Sequence, residues 1–77
     1  MEELVEYLAR RLVAHPDEVT VTRAERDGEV VLQLRVAPDD VGKVIGRQGR
    51  VVRALRTLAR ASAARTGERV LLEIVEP

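Results

Sequence analysis

Along the first fourteen positions the apolar residues Leu4, Val5, Leu8, Ala9 and Leu12 recur at spacings of one, three and four. That period predicts a helix from Glu2 to Ala14 with one buried stripe, and Glu2, Glu3, Glu6, Arg10 and Arg11 form its wet side. The acids come first and the arginines last, as the helix dipole favours, and Pro16 bars continuation beyond about His15. The pattern then changes to β-branched residues and period two. Strands are predicted over Val19–Arg26 and Glu29–Val36, joined by the two-residue turn Asp27-Gly28, with Val30, Leu32, Leu34 and Val36 facing the core.

Ala37-Pro38-Asp39-Asp40 reads as a loop ending in a helix N-cap, with an aspartate accepting from the first free amides. A short helix follows over Val41–Ile45. Gly46-Arg47-Gln48-Gly49 breaks it, and a longer helix runs from Arg50 to Arg65 with Gly67 as its stop. On the longer helix Val51, Val52, Leu55, Leu58, Ala59 and Ser62 share one face, while Arg50, Arg53, Arg56 and Arg60 lie on another arc of roughly 120°. Arg69–Val75 reads as a strand with Val70, Leu72 and Ile74 on one side and Leu71 and Val75 on the other, the pattern of an inner strand or one covered on both faces. The order αββααβ implies an α+β domain. A three-stranded sheet with three helices packed on one face would bury every one of these stripes. No repeat, linker or low-complexity tail interrupts residues 1–77, so one domain is expected.

Charge changes this picture. The chain is formally neutral, with thirteen Lys plus Arg and thirteen Asp plus Glu. Yet no carboxylate lies between Val41 and Gly67, where Lys43, Arg47, Arg50, Arg53, Arg56, Arg60 and Arg65 all stand. Six cations against thirteen anions remain elsewhere, so the chain is electrically polarised and one segment is suited to draw in a polyanion. The Gly-x-x-Gly link within that segment has its own chemistry. Glycines permit positive φ and remove the Cβ atoms that would hold a ligand backbone away, and free amides at the next helix start point at the vacated space. Phosphate is the natural occupant. Arg47 and Gln48 can donate to phosphate or sugar oxygens, with Lys43 and Arg50 supplying charge on either side.

Other chemistries find little support. There is no cysteine, so disulfides and thiolate metal sites are excluded and a reducing cytoplasm suits the chain. No apolar stretch approaches the ~20 residues of a membrane span. His15 is the one histidine, with no second ligand or nucleophile to complete a metal set or a triad, and it reads as a helix-end residue. The Gly-x-x-x-x-Gly-Lys-Ser/Thr phosphate loop of nucleotide hydrolases is absent. Neither enzymatic activity nor a cofactor is expected. Tyr7 is the single aromatic residue, which counts against a base-stacking platform; off the main apolar stripe of the first helix, it reads as a rim residue or else a dimer contact.

The string Gly42-Lys43-Val44-Ile45-Gly46-Arg47-Gln48-Gly49-Arg50-Val51-Val52 resembles the signature of KH domains, in which a Val-Ile-Gly-x-x-Gly core joins two helices, and the element order matches the type II, bacterial form. The opening Leu4-Val5-Glu6-Tyr7-Leu8, the run from Val36 to Lys43 and the closing Arg69-Val70-Leu71-Leu72-Glu73-Ile74 are similar to the small stand-alone KhpA proteins. The resemblance implies a type II KH fold that binds single-stranded RNA, with about four nucleotides clamped by the Gly-x-x-Gly loop. Carried over by position, Gly46, Arg47, Gln48 and Gly49 are the clamp, and Lys43, Val44, Ile45, Arg50 and Arg53 form the groove wall. It also implies a homodimer, or a heterodimer with a Jag-type KH protein, KhpB. A role as RNA chaperone or post-transcriptional regulator linked to cell shape and envelope growth is implied as well. The alternative is a KH-fold interaction module whose loop surface mediates dimerisation, with incidental RNA contact.

Overall fold

The computed structural model describes residues 1–75. It contains α1 (Glu2–Leu12), β1 (Thr20–Arg26), β2 (Glu29–Arg35), α2 (Val41–Ile45), α3 (Arg50–Ala64) and β3 (Val70–Val75), in the expected αββααβ order. Single turns of 3-10 helix at Pro16–Glu18 and Pro38–Asp40 each begin with a proline, whose fixed φ suits a first helical position.

β1 and β2 form an antiparallel hairpin in which Thr20 pairs with Arg35 and Arg26 with Glu29. Asp27 (φ 54°) and Gly28 (φ 80°) both take the left-handed conformation that a two-residue hairpin turn requires. β3 joins the other edge of β2 in parallel, Val30 opposite Val70 and Leu34 opposite Ile74. Parallel pairing needs a long crossover, and residues 36–69, including α2 and α3, are that crossover. Val30, Leu32 and Leu34 of β2 meet Leu72 of β3, Val5 and Ala9 of α1, Val44 of α2, and Leu55 and Ala59 of α3 in one core, as the alternation predicted.

Four expectations are corrected. β3 is an edge strand, since the sheet order is β1-β2-β3. Its second apolar side belongs to the face away from the helices, where Leu71 lies opposite Val31. Val31 is buried there, and on the same face Arg26 of β1 reaches over β2 to Glu73 of β3 at 2.7 Å. The first helix ends at Leu12, two residues early. Val13 is extended (φ −107°, ψ 162°), and the amides of Ala14 and His15 go to the Asp40 carboxylate instead of to helix carbonyls. For the same reason Asp40 occupies the N-cap position of α2 without capping it, because its side chain is spent on the chain beyond α1. His15 is accordingly a residue of the connecting turn and not of a helix end.

Candidate nucleic-acid interface

α2 ends at Gly46, whose φ of 77° and ψ of 172° fall in a region essentially restricted to glycine. Space demands the same residue, since a Cβ at Gly46 would lie 2.9 Å from the backbone nitrogen of Val51. The Gly46 amide closes α2 on the Gly42 carbonyl at 2.9 Å, and the Gly49 amide returns to the Gly46 carbonyl at 3.2 Å. Gln48 (φ 56°) and Gly49 (φ 74°) are both left-handed, so the chain reverses within four residues and α3 begins at once. Arg47 and Gln48 stand exposed at the tip. Their amides open the 3-10 turn Arg47–Gly49, where first-turn N–H groups have no intrahelical acceptor.

The structure sorts the residues that the sequence assigned to this site. Arg53 lies about one turn into α3 and folds back, its guanidinium donating to the Gln48 carbonyl at 2.9 Å, so a cation is fixed against the loop. Arg50 is exposed on the other flank, where it lines a groove of about 390 Å³ between α1 and α3 with Leu8, Leu12, Val51 and Leu58. Ile45 is half-buried. Val44, expected in the groove wall, has no exposed surface and belongs to the core, because the buried stripe of a five-residue helix must face the sheet. Lys43 is exposed but turned toward the start of α2, with its ammonium 3.3 Å from Asp40 Oδ1. Arg56 donates to the Leu72 carbonyl at 3.3 Å, on the outer edge of β3.

Among the described residues, no arginine from Arg47 to Arg65 has a carboxylate within ion-pair distance. The loop and the adjoining face of α3 therefore present unopposed positive charge. Sequence reasoning missed Asp40. Burial pushes its carboxyl up, but the Ala14 amide, the ring and amide of His15, and the Lys43 ammonium outweigh this and hold it at about 2. The side chain is covered by contact with these donors, close beneath the surface. Its spacing of three from Lys43 was the one local signal. Among the described residues no cluster of three or more His, Cys, Asp or Glu could hold a metal ion. No helix among them is long and apolar enough to cross a membrane.

Comparison with known proteins agrees with this geometry. The family described as KhpA/KhpB, KH domain matches residues 2–74. The chain is 57% identical over 75 residues to an RNA-binding protein KhpA of Treponema pallidum, covering 97% of this chain and 94% of that one. It is 49% identical to an RNA-binding protein KhpA of Aquifex aeolicus, covering 99% and 96% of the two chains. The counterpart of the same name in Clostridium acetobutylicum is 45% identical, covering 97% and 100%. Among solved structures, the fold matches part of Era, crystallised with MgGDPNP and nucleotides 1506–1542 of 16S ribosomal RNA, with a TM-score of 0.66 at 22% identity. That match covers 95% of this chain and 28% of the Era chain, so it speaks for the fold alone. With the αββααβ order, the glycine-bounded loop between α2 and α3 and a match over residues 2–74, this chain belongs to the KhpA/KhpB family of KH domains.

Proposed function

We propose that this chain is a non-enzymatic, cytoplasmic RNA-binding protein that clamps the backbone of a single strand at Gly46-Arg47-Gln48-Gly49. The observation that carries this reading is the α2–α3 link, where exposed Arg47 and Gln48 and the fixed Arg53 offer donors and positive charge with no carboxylate at ion-pair distance among the described residues. Phosphates meet the loop, while Ile45, Arg50 and Arg53 supply its rim, Lys43 stands beside it paired with Asp40, and Val44 acts from below by seating α2 on the core. About four nucleotides fit such a groove. The absence of stacking aromatics makes binding modest and tolerant of sequence, and the curated relatives carry the name of RNA-binding proteins. The test is fluorescence anisotropy of a labelled mixed-sequence single-stranded RNA. Arg47→Asp with Gln48→Asp should weaken binding at least about a hundredfold without unfolding the protein. Wild-type log K should fall with log salt at about −0.7 per phosphate contacted. Equal binding by both proteins would refute the clamp.

Self-association is favoured by a second observation, and it points away from the loop. The large apolar side chains left exposed among the described residues are Leu4, Tyr7, Leu12 and Leu58, all on α1 and α3, and Leu12 and Leu58 line the groove between the two helices. α1 carries Glu2 and Glu3 in its first turn and Arg10 and Arg11 in its last. An antiparallel, two-fold pairing of α1 with its copy would therefore set each acidic end on a basic one, as an isologous dimer requires. We propose a homodimer through this face. Sedimentation of Leu58→Asp should yield a monomer, while the loop double variant keeps the wild-type mass. A loop variant that dissociates instead would favour the dimerisation-module reading. A mass unchanged by Leu58→Asp would leave the face to a KhpB-type partner.

A further inference from the structure

Asp40 is the charged side chain with no exposed surface among the described residues, and it stands at the start of the helix that leads into the loop. Its two oxygens face four donors. Oδ1 accepts from the Ala14 amide at 3.1 Å and lies 3.3 Å from the Lys43 ammonium. Oδ2 accepts from the His15 amide at 3.0 Å and lies 3.1 Å from the His15 ring nitrogen Nδ1. An ionised carboxylate only accepts, so Nδ1 carries the proton in this contact. The groups facing Asp40 thus come from the α1–β1 connection on one side and from α2 on the other, and the carboxylate joins the two.

What this does to Lys43 follows from helix geometry. Side chains on a helix tilt toward its N-terminus, and the tether to Asp40 strengthens that tilt. Gly46 lies three residues the other way, about 4.5 Å along the axis, well within the reach of a lysine that pointed toward it. In the tethered arrangement an anion sits directly behind the ammonium. A phosphate approaching the loop then meets a nearly neutral pair and not an isolated cation, and the attraction falls accordingly.

Resting on the RNA-binding reading above, we infer that Asp40 is a positioning residue that restrains the RNA site. It holds Lys43 at the far end of α2 and offsets its charge, so that a bound strand engages one cation fewer than the sequence supplies. The site is thereby weakened from within, which favours rapid exchange of the strand. Removing the negative charge should strengthen binding, the reverse of what a purely structural role predicts.

The experiment is a double-mutant cycle read by RNA anisotropy over a salt series, with wild type, Asp40→Asn, Lys43→Ala and the double variant. Asp40→Asn should bind about three- to tenfold tighter at low salt, with a log K against log salt slope steeper by about 0.7, the value of one added phosphate contact. Lys43→Ala should cost about twofold in the wild-type background and cancel the whole gain in the double variant. The inference is overturned if folded Asp40→Asn binds no tighter, or if its gain survives Lys43→Ala. Should Asp40→Asn fail to fold, Lys43→Ala alone decides. A loss near twofold supports the restraint, and a tenfold loss with a slope shallower by about 0.7 overturns it. Wild-type protein that binds no RNA would overturn the functional reading and this inference together, whereas an unresponsive Asp40→Asn beside a binding wild type overturns the inference only.

Discussion

Arg23 on β1 lies 3.3 Å from Glu2 and 2.6 Å from Glu68, and Arg26 reaches Glu73 at 2.7 Å, whereas the arginines from Arg47 to Arg65 have no carboxylate within such reach among the described residues. One residue type thus serves two ends. On β1, Arg23 and Arg26 are spent on linking elements distant in sequence: Arg23 joins α1, β1 and the turn before β3, and its hydrogen bonds to Glu68 and Glu2 raise its pKa. The same bond from Arg23, with one from Thr66, holds the Glu68 carboxyl low. On α3, Arg53 and Arg56 are held instead by carbonyls, those of Gln48 in the loop and Leu72 in β3, which fix their positions while leaving their charge uncancelled. Pairing with an acid removes the field that a polyanion would feel. Pairing with a carbonyl orients the cation and keeps the field.

The sharpest way to break this contrast is at Gly46, where fold and site share an atom-level constraint. Gly46→Ala should cost about 2–4 kcal/mol in urea unfolding, because the strained φ and the Val51 clash act together, and RNA binding should fall with it. A smaller effect, confined to binding, comes from the free set. Arg50→Ala with Arg53→Ala should weaken RNA about tenfold in anisotropy and flatten the salt slope, with Tm shifted more by Arg53 because it braces Gln48. Acid should act on the paired side. The Asp40 carboxyl sits at about 2 when folded against an ordinary 3.8, so its contribution is complete above about pH 4 and is lost as pH falls toward 2. Thermal melts should record that decline in wild type and a flatter one in Asp40→Asn. The mildest change is Arg23→Gln, which should lower Tm slightly, the more so at low salt, and leave RNA affinity where it was. A marked loss of RNA binding in that variant would end the division into two charge sets.

The contrast also explains what could be read from the chain. The loop was legible because its signals are local: two glycines three apart, a valine-isoleucine lead and a run without acids. The hairpin was legible from Asp27-Gly28, and its register followed. Asp40 was not, because the groups that bury it, Ala14 and His15, lie 26 and 25 residues away and no short-range pattern announces them. The place of β3 at the edge was misread for a related reason. Leu71 and Val75 signal a second apolar side, but part of what shelters that face is the Arg26–Glu73 bridge, made of two charged residues from different strands. Leu12 and Leu58 fit their helical stripes in sequence, yet they remain 42% and 45% exposed because α1 and α3 diverge around a groove. Periodicity tells which side of a helix is apolar and is silent on what covers it.

The parallel pairing of β2 with β3 carries one further consequence, for the order of events in folding. The β1–β2 hairpin closes over two residues, whereas β3 can dock only once the crossover of residues 36–69 has brought it back alongside β2. The loop at residues 46–49 lies inside that crossover, so its tight reversal favours the return of the chain that finishes the sheet. A lesion in it would then slow the search for the native state as well as weaken the finished protein, so the arrival of the third strand depends on the very loop that we propose holds RNA.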